Sequence, residues 1–357
     1  MRILHVITSL HTGGAERLLV DLLPALRALG NDVELLVLDG TPTPFMQQLE
    51  HESVTIHHLG IGGSPYNPKN ILGLCKYMRR YDVIHTHNTA CQLFAPMARL
   101  LTLGGARLVT TEHSATNRRR GKLLFKLIDR WMYARYSRII CIAQQTYQNL
   151  TAHLGTNKNM TVIFNGVRVD SFFHAIKDVA KETEFVVSMI AGFRHEKDQD
   201  TLIRAMAQLP GNYSLQLVGD GPRRGELENL IAKLQLGDRV KLLGIRTDIP
   251  DILAHSDVVV LSSHWEGLSL SSIEGMASGR PFVASDVDGL REIVKGYGIL
   301  FPHQDCRALA SAIRQLCENP EEYRRVAERC QARAKQYDIS LMAKKYNEVY
   351  QEICPNK

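Results

Sequence analysis

Two carboxylates, Glu266 and Glu274, bracket a helix start in the stretch DVVVLSSHWEGLSLSSIEGMASGRPFVAS, residues 257–285. The apolar run 257–261 reads as a buried strand, 262–267 as a turn of small residues, and 269–278 as a helix that stops at Gly279. A helix that opens at such a turn points free backbone N–H groups at whatever lies in front, which makes an anion site. Beside it, the two glutamates can accept hydrogen bonds from hydroxyl groups. Anion donors next to hydroxyl acceptors suit a nucleotide sugar.

The other loops carry chemistry that would complete such a site. Arg194 and Lys197 follow an expected strand at 185–191. Paired cations there suit a diphosphate, and cations at a helix start are unfavourable without an anion. His113 follows the expected strand 107–111, where it can meet a sugar hydroxyl or a developing charge; a satisfied structural histidine is the plain alternative. Gly13 and Gly14 sit at a strand-to-helix turn and let backbone approach a ligand. They do not form G-x-G-x-x-G, so a dinucleotide is poorly supported. Asn165-Gly166-Val167 reads as a hinge turn, and Gly219-Asp220-Gly221-Pro222 as a second glycine-rich turn.

His85 and His87 have the spacing of a metal pair but no third ligand nearby in sequence, so a structural or substrate-lining role is preferred. The triplets Asp198-Gln199-Asp200 and Asp286-Val287-Asp288 could hold a divalent ion. The first falls in a helix first turn, where acids are favoured anyway, and the second in a turn beside Gly289. No metal is expected at either, and no cofactor. The run Arg118, Arg119, Arg120, Lys122 adjoins an amphipathic segment with Leu123, Leu124, Leu127, Ile128 and Trp131. It is either a basic lip for an anionic membrane surface or a solvated loop before a core-facing helix.

The elements that must position these residues alternate strand with helix. Strands are expected at 2–7, 33–38, 54–58, 82–85, 107–111, 138–142 and 160–164, with helices at 14–29, 67–80, 89–102, 121–136 and 144–153. After a polar stretch the alternation restarts, with strands at 185–191, 213–218, 240–244, 257–261, 281–285 and 298–301. The fold class is α/β: two Rossmann-like domains facing across a cleft, with ligands expected at the carboxyl ends of their strands. The boundaries are 1–167 for an acceptor-side domain, 168–184 for a linker, 185–335 for a nucleotide-sugar domain, and 336–357 for a helix returning to the first domain. The 357 residues suffice for two cores.

A net charge of +6 and a pI near 8.9 fit a phosphate-rich ligand or an anionic membrane and make no case for nucleic acid. Seven cysteines, an odd number without C-x-x-C spacing, read as reduced thiols of a cytosolic protein. The chain opens directly on a strand, with no signal peptide apparent, and no apolar run approaches the roughly 20 residues of a membrane span. A cytoplasmic location follows, with a peripheral position at the inner membrane face suggested by the basic lip.

With Glu-x7-Glu at 266–274 and Gly-x-Pro at 279–281, the sequence resembles the retaining glycosyltransferases of family 4, which have the GT-B fold. Gly13-Gly14-Ala15-Glu16, His113, Asn165-Gly166-Val167, Lys197 and Gly219-Asp220-Gly221-Pro222 extend the resemblance along the chain. It implies that Glu274 holds the ribose and Glu266 the donor-sugar hydroxyls, with the backbone of Gly267, Leu268, Ser269 and Leu270 near sugar and phosphate. It also implies that Lys197 holds the diphosphate, that Gly14 lets the first domain close over it, and that His113 lines the sugar site. The family's usual arginine five residues before the lysine is Gly192 here, so Arg194 is the candidate substitute. Ser269 stands where a glycine is usual. The expected partners are a nucleotide-sugar donor and a glycan or lipid-linked acceptor, in surface-polysaccharide assembly. A nucleotide-sugar epimerase, a glycoside hydrolase acting through the two glutamates, and a non-catalytic nucleotide-sugar binder are the alternatives.

Overall fold

A computed structural model describes residues 1–11, 13–114, 123–181 and 183–355. The chain divides into two compact units, Met1–Gly166 with Ile339–Lys357, and Val167–Asp338. The first holds strands β1 (Arg2–Ile7), β2 (Asp32–Val37), β3 (Thr55–His58), β4 (Val83–His87), β5 (Arg107–Glu112), β6 (Arg138–Cys141) and β7 (Met160–Val162). They form one sheet in the order β3-β2-β1-β4-β5-β6-β7. The second holds β8 (Phe185–Ile190), β9 (Tyr213–Val218), β10 (Val240–Gly244), β11 (Val258–Leu261), β12 (Phe282–Ser285) and β13 (Ile299–Phe301), in the order β10-β9-β8-β11-β12-β13.

Both sheets are parallel. The central strands show why. Ile3, Leu4, Val6 and Ile7 of β1, and Val258 to Leu261 of β11, are all buried. A strand with no polar face cannot border water, so helices must cover the sheet on both sides, and parallel crossovers supply them. No helix among the described residues is long and apolar enough to cross a membrane.

Two local differences from the sequence reading have physical causes, and the C-terminal helix is placed as expected. The helix Pro44–His51 has no counterpart in that reading; it is announced by Thr43, whose hydroxyl caps the Met46 N–H, and by proline at its first position. The stretch 168–184, expected as a linker, belongs to the second unit. It lacks periodicity because hydrogen bonds from elsewhere hold it: Gln331 donates to the His174 carbonyl and Arg280 to that of Ala175. The last helix runs Ile339–Ile353 and belongs to the first unit, where Asn347 accepts from Asn31.

Arg280 is 5% exposed and, among the described residues, has no carboxylate partner. It donates to the carbonyls of Ser256 (2.8 Å), Ala254 (2.5 Å) and Ala175 (2.8 Å), tying the 168–184 stretch to the segments before β11 and β12. Arg280→Met leaves these acceptors buried and bare, at about 1–3 kcal/mol each with partial relaxation. Urea unfolding followed on the second unit should show a loss of about 3 kcal/mol; a loss below about 1 kcal/mol would refute this role.

Candidate functional site

In the second unit, β8 lies between β9 and β11, where the strand order reverses. Loops leaving such a switch point diverge and open a crevice at the carboxyl ends of the strands. The loop after β8 carries Arg194 and Lys197, and the loop after β11 carries Ser263 and Glu266. They are bound to each other. The His264 N–H donates to the Glu196 carbonyl (2.9 Å), and the Ser262 hydroxyl to that of Asp198 (2.7 Å). Lys197 Nζ lies 2.5 Å from Glu266 Oε1, and the Ser263 hydroxyl donates to the same oxygen at 2.7 Å. The Lys197 and Glu266 side chains are 20% and 8% exposed. Glu266 Oε2 has no partner among the described residues, which leaves a carboxylate oxygen for a ligand hydroxyl.

Glycines set these loops. A Cβ on Gly219 would overlap the Ala191 carbonyl, and one on Gly221 the carbonyl of Phe193. The Phe193 N–H donates to Asp220 O (2.9 Å), and the Arg223 N–H to Phe193 O (3.1 Å). The Gly-Asp-Gly-Pro turn is therefore the brace of the Lys197 loop. Gly289, at φ +85, presses its backbone against the Glu266 and Gly267 carbonyls and braces the other loop in the same way.

The helix that begins behind Glu266 runs Leu270–Ala277, with Ser269 at its N-cap. Ser269 makes no capping hydrogen bond; its hydroxyl lies 2.9 Å from that of Ser271. The first-turn N–H groups thus have no side-chain cap, as an anion site requires. Nothing lies within 4 Å of a Cβ built on Gly267, and Leu268 is buried. Glu274 is 8% exposed, within the same helix. Arg194 is exposed, and its Nε lies 3.9 Å from where a Cβ on Gly192 would stand. The second unit therefore brings Lys197 and Glu266 into contact, with the Gly267–Leu270 backbone following Glu266 directly, Arg194 on the Lys197 loop and Glu274 inside the helix.

The aspartate triplets are engaged by protein groups. Asp198 caps Thr201, and Asp200 pairs with Arg223 at 2.7 and 3.2 Å. Asp286 and Asp288 both pair with Arg291. Asp198, His264 and His303 do lie together, their ligand atoms within 4.8 Å. Burial lowers the His264 pKa against the pull of Asp198.

In the first unit the strand order reverses between β1 and β4. Gly13 and Gly14 follow β1. A Cβ on Gly13 would overlap the Glu16 carboxylate, while the space around Gly14 is open. Asn88, after β4, donates to Thr8 Oγ1 (3.0 Å) and Glu16 Oε1 (3.3 Å). His113, after β5, is half-buried and rests on His87 at 2.9 Å. Asn165 is 5% exposed, its Oδ1 without a partner among the described residues. Arg118, Arg119, Arg120 and Lys122 lie outside the described residues.

One expectation changes. His85 and His87 have a third histidine close by, His5, with ligand atoms within 4.8 Å. Parallel pairing of β1 with β4 places His5 opposite His85. The strand register carried this information; sequence proximity did not. Ser263, His5 and the tyrosines of the last helix are the residues that motif reading missed.

Residues 12–171 match the family Glycosyltransferase Family 4, and residues 170–333 match Glycosyl transferases group 1. The chain is 29% identical over 268 residues to the Escherichia coli UDP-Gal:alpha-D-GlcNAc-diphosphoundecaprenol alpha-1,3-galactosyltransferase, covering 69% of each. It is 27% identical over 208 residues to the Bacillus anthracis N-acetyl-alpha-D-glucosaminyl L-malate synthase, covering 55% of each. Among solved structures, Anabaena HepE in complex with UDP-glucose superposes with TM-score 0.85 at 24% identity, over 99% of this chain and all of that one.

The histidine column predicts acid sensitivity. Burial lowers His5 to about 3 and His113 to about 4, and it holds His85 and His87 well below their ordinary value. The unfolded chain binds protons on these groups near pH 6.5; the folded unit does not until far lower. Stability is therefore full above pH 6.5 and falls below it, by about 1.4 kcal/mol per pH unit for each histidine. The denaturation midpoint of the first unit should be flat above pH 7 and drop steeply from 6.5 to 4. His5→Asn should flatten that slope by about one proton; a wild-type midpoint unchanged down to pH 4 would contradict the neutral column.

Proposed function

Because the chain belongs to the GT-B glycosyltransferases of family 4, we propose that it transfers a hexose, with retained anomeric configuration, from a nucleoside-diphosphate sugar to a glycan or lipid-linked glycan. The observation that carries this reading is the Lys197–Glu266 pair beside an uncapped helix start. A fixed ammonium and a row of N–H donors meet a diphosphate, while a carboxylate with one oxygen free meets sugar hydroxyls. Glu274, buried in the same helix, takes the ribose hydroxyls.

Charge develops on the departing diphosphate as the glycosidic bond breaks and the sugar becomes oxocarbenium-like. Lys197 and the N–H groups of Gly267 to Leu270 neutralise it, with Arg194 standing in for the arginine absent at Gly192. Within the first unit, Gly13 and Gly14 offer backbone donors, and His113 and Asn165 hydrogen-bonding side chains, to a nucleotide sugar. A phosphate oxygen of the leaving group takes the acceptor's proton on the same face, so the chain needs no separate base, and retention follows. With these cations in place no metal ion is required. The names of the relatives support UDP-hexoses as donors and polyprenyl-diphosphate glycans as acceptors for the first assays, in surface-polysaccharide assembly at the cytoplasmic face. There the run Arg118–Lys122 would bring the chain to anionic lipid.

Donors are first screened by thermal shift, since a ligand that binds only the native state raises its apparent stability. The product anomer is then read by NMR; an inverted product would overturn retention. Glu274→Ala should weaken nucleoside-diphosphate binding about tenfold (~1.4 kcal/mol), and unchanged affinity would remove it from the ribose. Lys197→Ala should lower kcat about 100-fold and chelator should leave the wild-type rate intact; a rate abolished by chelator and restored by Mg2+ would overturn the metal-free reading. Neutralising the Arg118–Lys122 run should release the protein from anionic vesicles at low salt.

A further inference from the structure

His113 is the outer end of a buried hydrogen-bonded chain that reaches the C-terminal helix. Parallel register puts His5 opposite His85, and His87 opposite Thr111. Alternation then places all four side chains on one face of the sheet, with His113 two residues beyond Thr111. Tyr346 and Tyr350, one helical turn apart on Ile339–Ile353, cover that face. The links run in one line. Tyr346 OH meets Thr111 Oγ1 at 3.0 Å, and Thr111 Oγ1 meets His85 Nε2 at 2.8 Å. His85 Nδ1 meets Tyr350 OH at 2.6 Å, and Tyr350 OH meets His5 Nε2 at 3.4 Å, the longest link. His5 Nδ1 meets His87 Nε2 at 3.0 Å, and His87 Nδ1 meets His113 Nε2 at 2.9 Å.

Each link needs one proton, and each neutral imidazole has only one to give. The whole chain can therefore point only one way or the other. The hydroxyls of Tyr346 and Thr111 decide which. Tyr346 is fully buried, and burial keeps its hydroxyl protonated. Among the described residues the only acceptor for that proton is Thr111 Oγ1. Thr111 then donates to His85 Nε2, so His85 is protonated at Nδ1 and donates to Tyr350. Tyr350 donates to His5 Nε2, His5 Nδ1–H to His87 Nε2, and His87 Nδ1–H to His113 Nε2. In the reverse direction His85 Nε2–H donates to Thr111, and one of the two buried hydroxyl protons, that of Thr111 or that of Tyr346, is left without an acceptor among the described residues, an unfavourable state.

We propose that Thr111, held by Tyr346, fixes the tautomer of His113 through this one-way chain, so that His113 presents an Nδ1–H donor, and never a lone pair, to an oxygen acceptor of its ligand. Tyr346, Thr111, His85, Tyr350, His5 and His87 are thereby positioning residues, and the selected ligand atom is a hydroxyl or phosphate oxygen able to accept. The proposal rests on the reading of His113 as a donor-site residue. The same three buried histidines have the make-up of a metal site, but every one of their ring nitrogens is already engaged in the chain.

The test is the tautomer itself. Long-range 1H–15N correlation of protein labelled at histidine distinguishes the two neutral forms ring by ring. The wild-type spectrum is expected to show His113 as Nδ1–H, with His5, His85 and His87 alike. In Tyr346→Phe the ring still stacks on His85 and Thr111 still donates to it, so His113 should stay Nδ1–H. In Thr111→Val that donor is gone, and His113 should move towards Nε2–H. Donor turnover should fall about tenfold in kcat with little change in KM for a donor lacking the recognised oxygen. A wild-type His113 found as Nε2–H, a tautomer unmoved by Thr111→Val, or stoichiometric Zn2+ uptake lost in His5→Asn would each overturn the chain. Separately, His113→Ala with undiminished donor binding and turnover would overturn the reading of His113 while the wild-type tautomer spectrum still reports on the chain, so the two failures are told apart.

Discussion

The contact between Lys197 and Glu266 is the constraint on which the second unit's site depends. Removing a carboxylate and an ammonium from water costs several kcal/mol per ion, and mutual attraction offsets this only when the geometry is well fixed. Here the carboxylate is 8% exposed and the ammonium 20%. The Lys197 loop has only the three-residue 3-10 turn His195–Lys197 at that point, and the Glu266 loop has no helix or strand there. Positioning comes instead from backbone packed on backbone, at Gly219 and Gly221 under one loop and Gly289 under the other, and from the Ser263 hydroxyl on Glu266. Such contacts admit no side chain, so the glycines serve the charges without touching them. A pair this weakly justified by stability is well suited to a ligand that brings its own negative charge, because the lysine is already desolvated and aimed.

Much of this was legible in the sequence, and the reason is periodicity. Both alternating blocks follow from short apolar runs, and those of the central strands must be buried on two faces, unlike edge strands β3 and β7. Glu266, Glu274 and Lys197 stood out because motifs of that kind depend on local spacing within one strand–turn–helix unit. What was not legible depends on register. Nothing near His85 in the chain announces His5, yet a parallel ladder makes them neighbours. The stretch 168–184 looked like a linker because Arg280 and Gln331, distant in sequence, satisfy its carbonyls. The aspartate triplets read as a helix first turn and a turn beside Gly289; their arginine partners, Arg223 and Arg291, belong to tertiary structure in one case and to the next helix in the other.

The two units solve opposite electrostatic problems. In the second, charge is concentrated at a switch point and fixed by glycine backbones. In the first, four histidines stand close together, and burial keeps all of them neutral. Had even one been a cation, its charge would lie unpaired in the interior, since the described partners of the column are rings and hydroxyls. Neutrality removes that cost and replaces it with a demand for complete hydrogen bonding, because a partly satisfied polar network is worse than an apolar core. Complete bonding in such a chain requires that each hydroxyl proton at its inner end have an acceptor. Tyr346 donating to Thr111 and Thr111 donating on to His85 meet that requirement, whereas serine or threonine in place of Tyr346 could bond the carbonyl of the preceding helical turn instead. The C-terminal helix therefore does more than cover the sheet. By bringing Tyr346 and Tyr350 to one face, it terminates the network, and it must belong to the first unit for the column to exist at all.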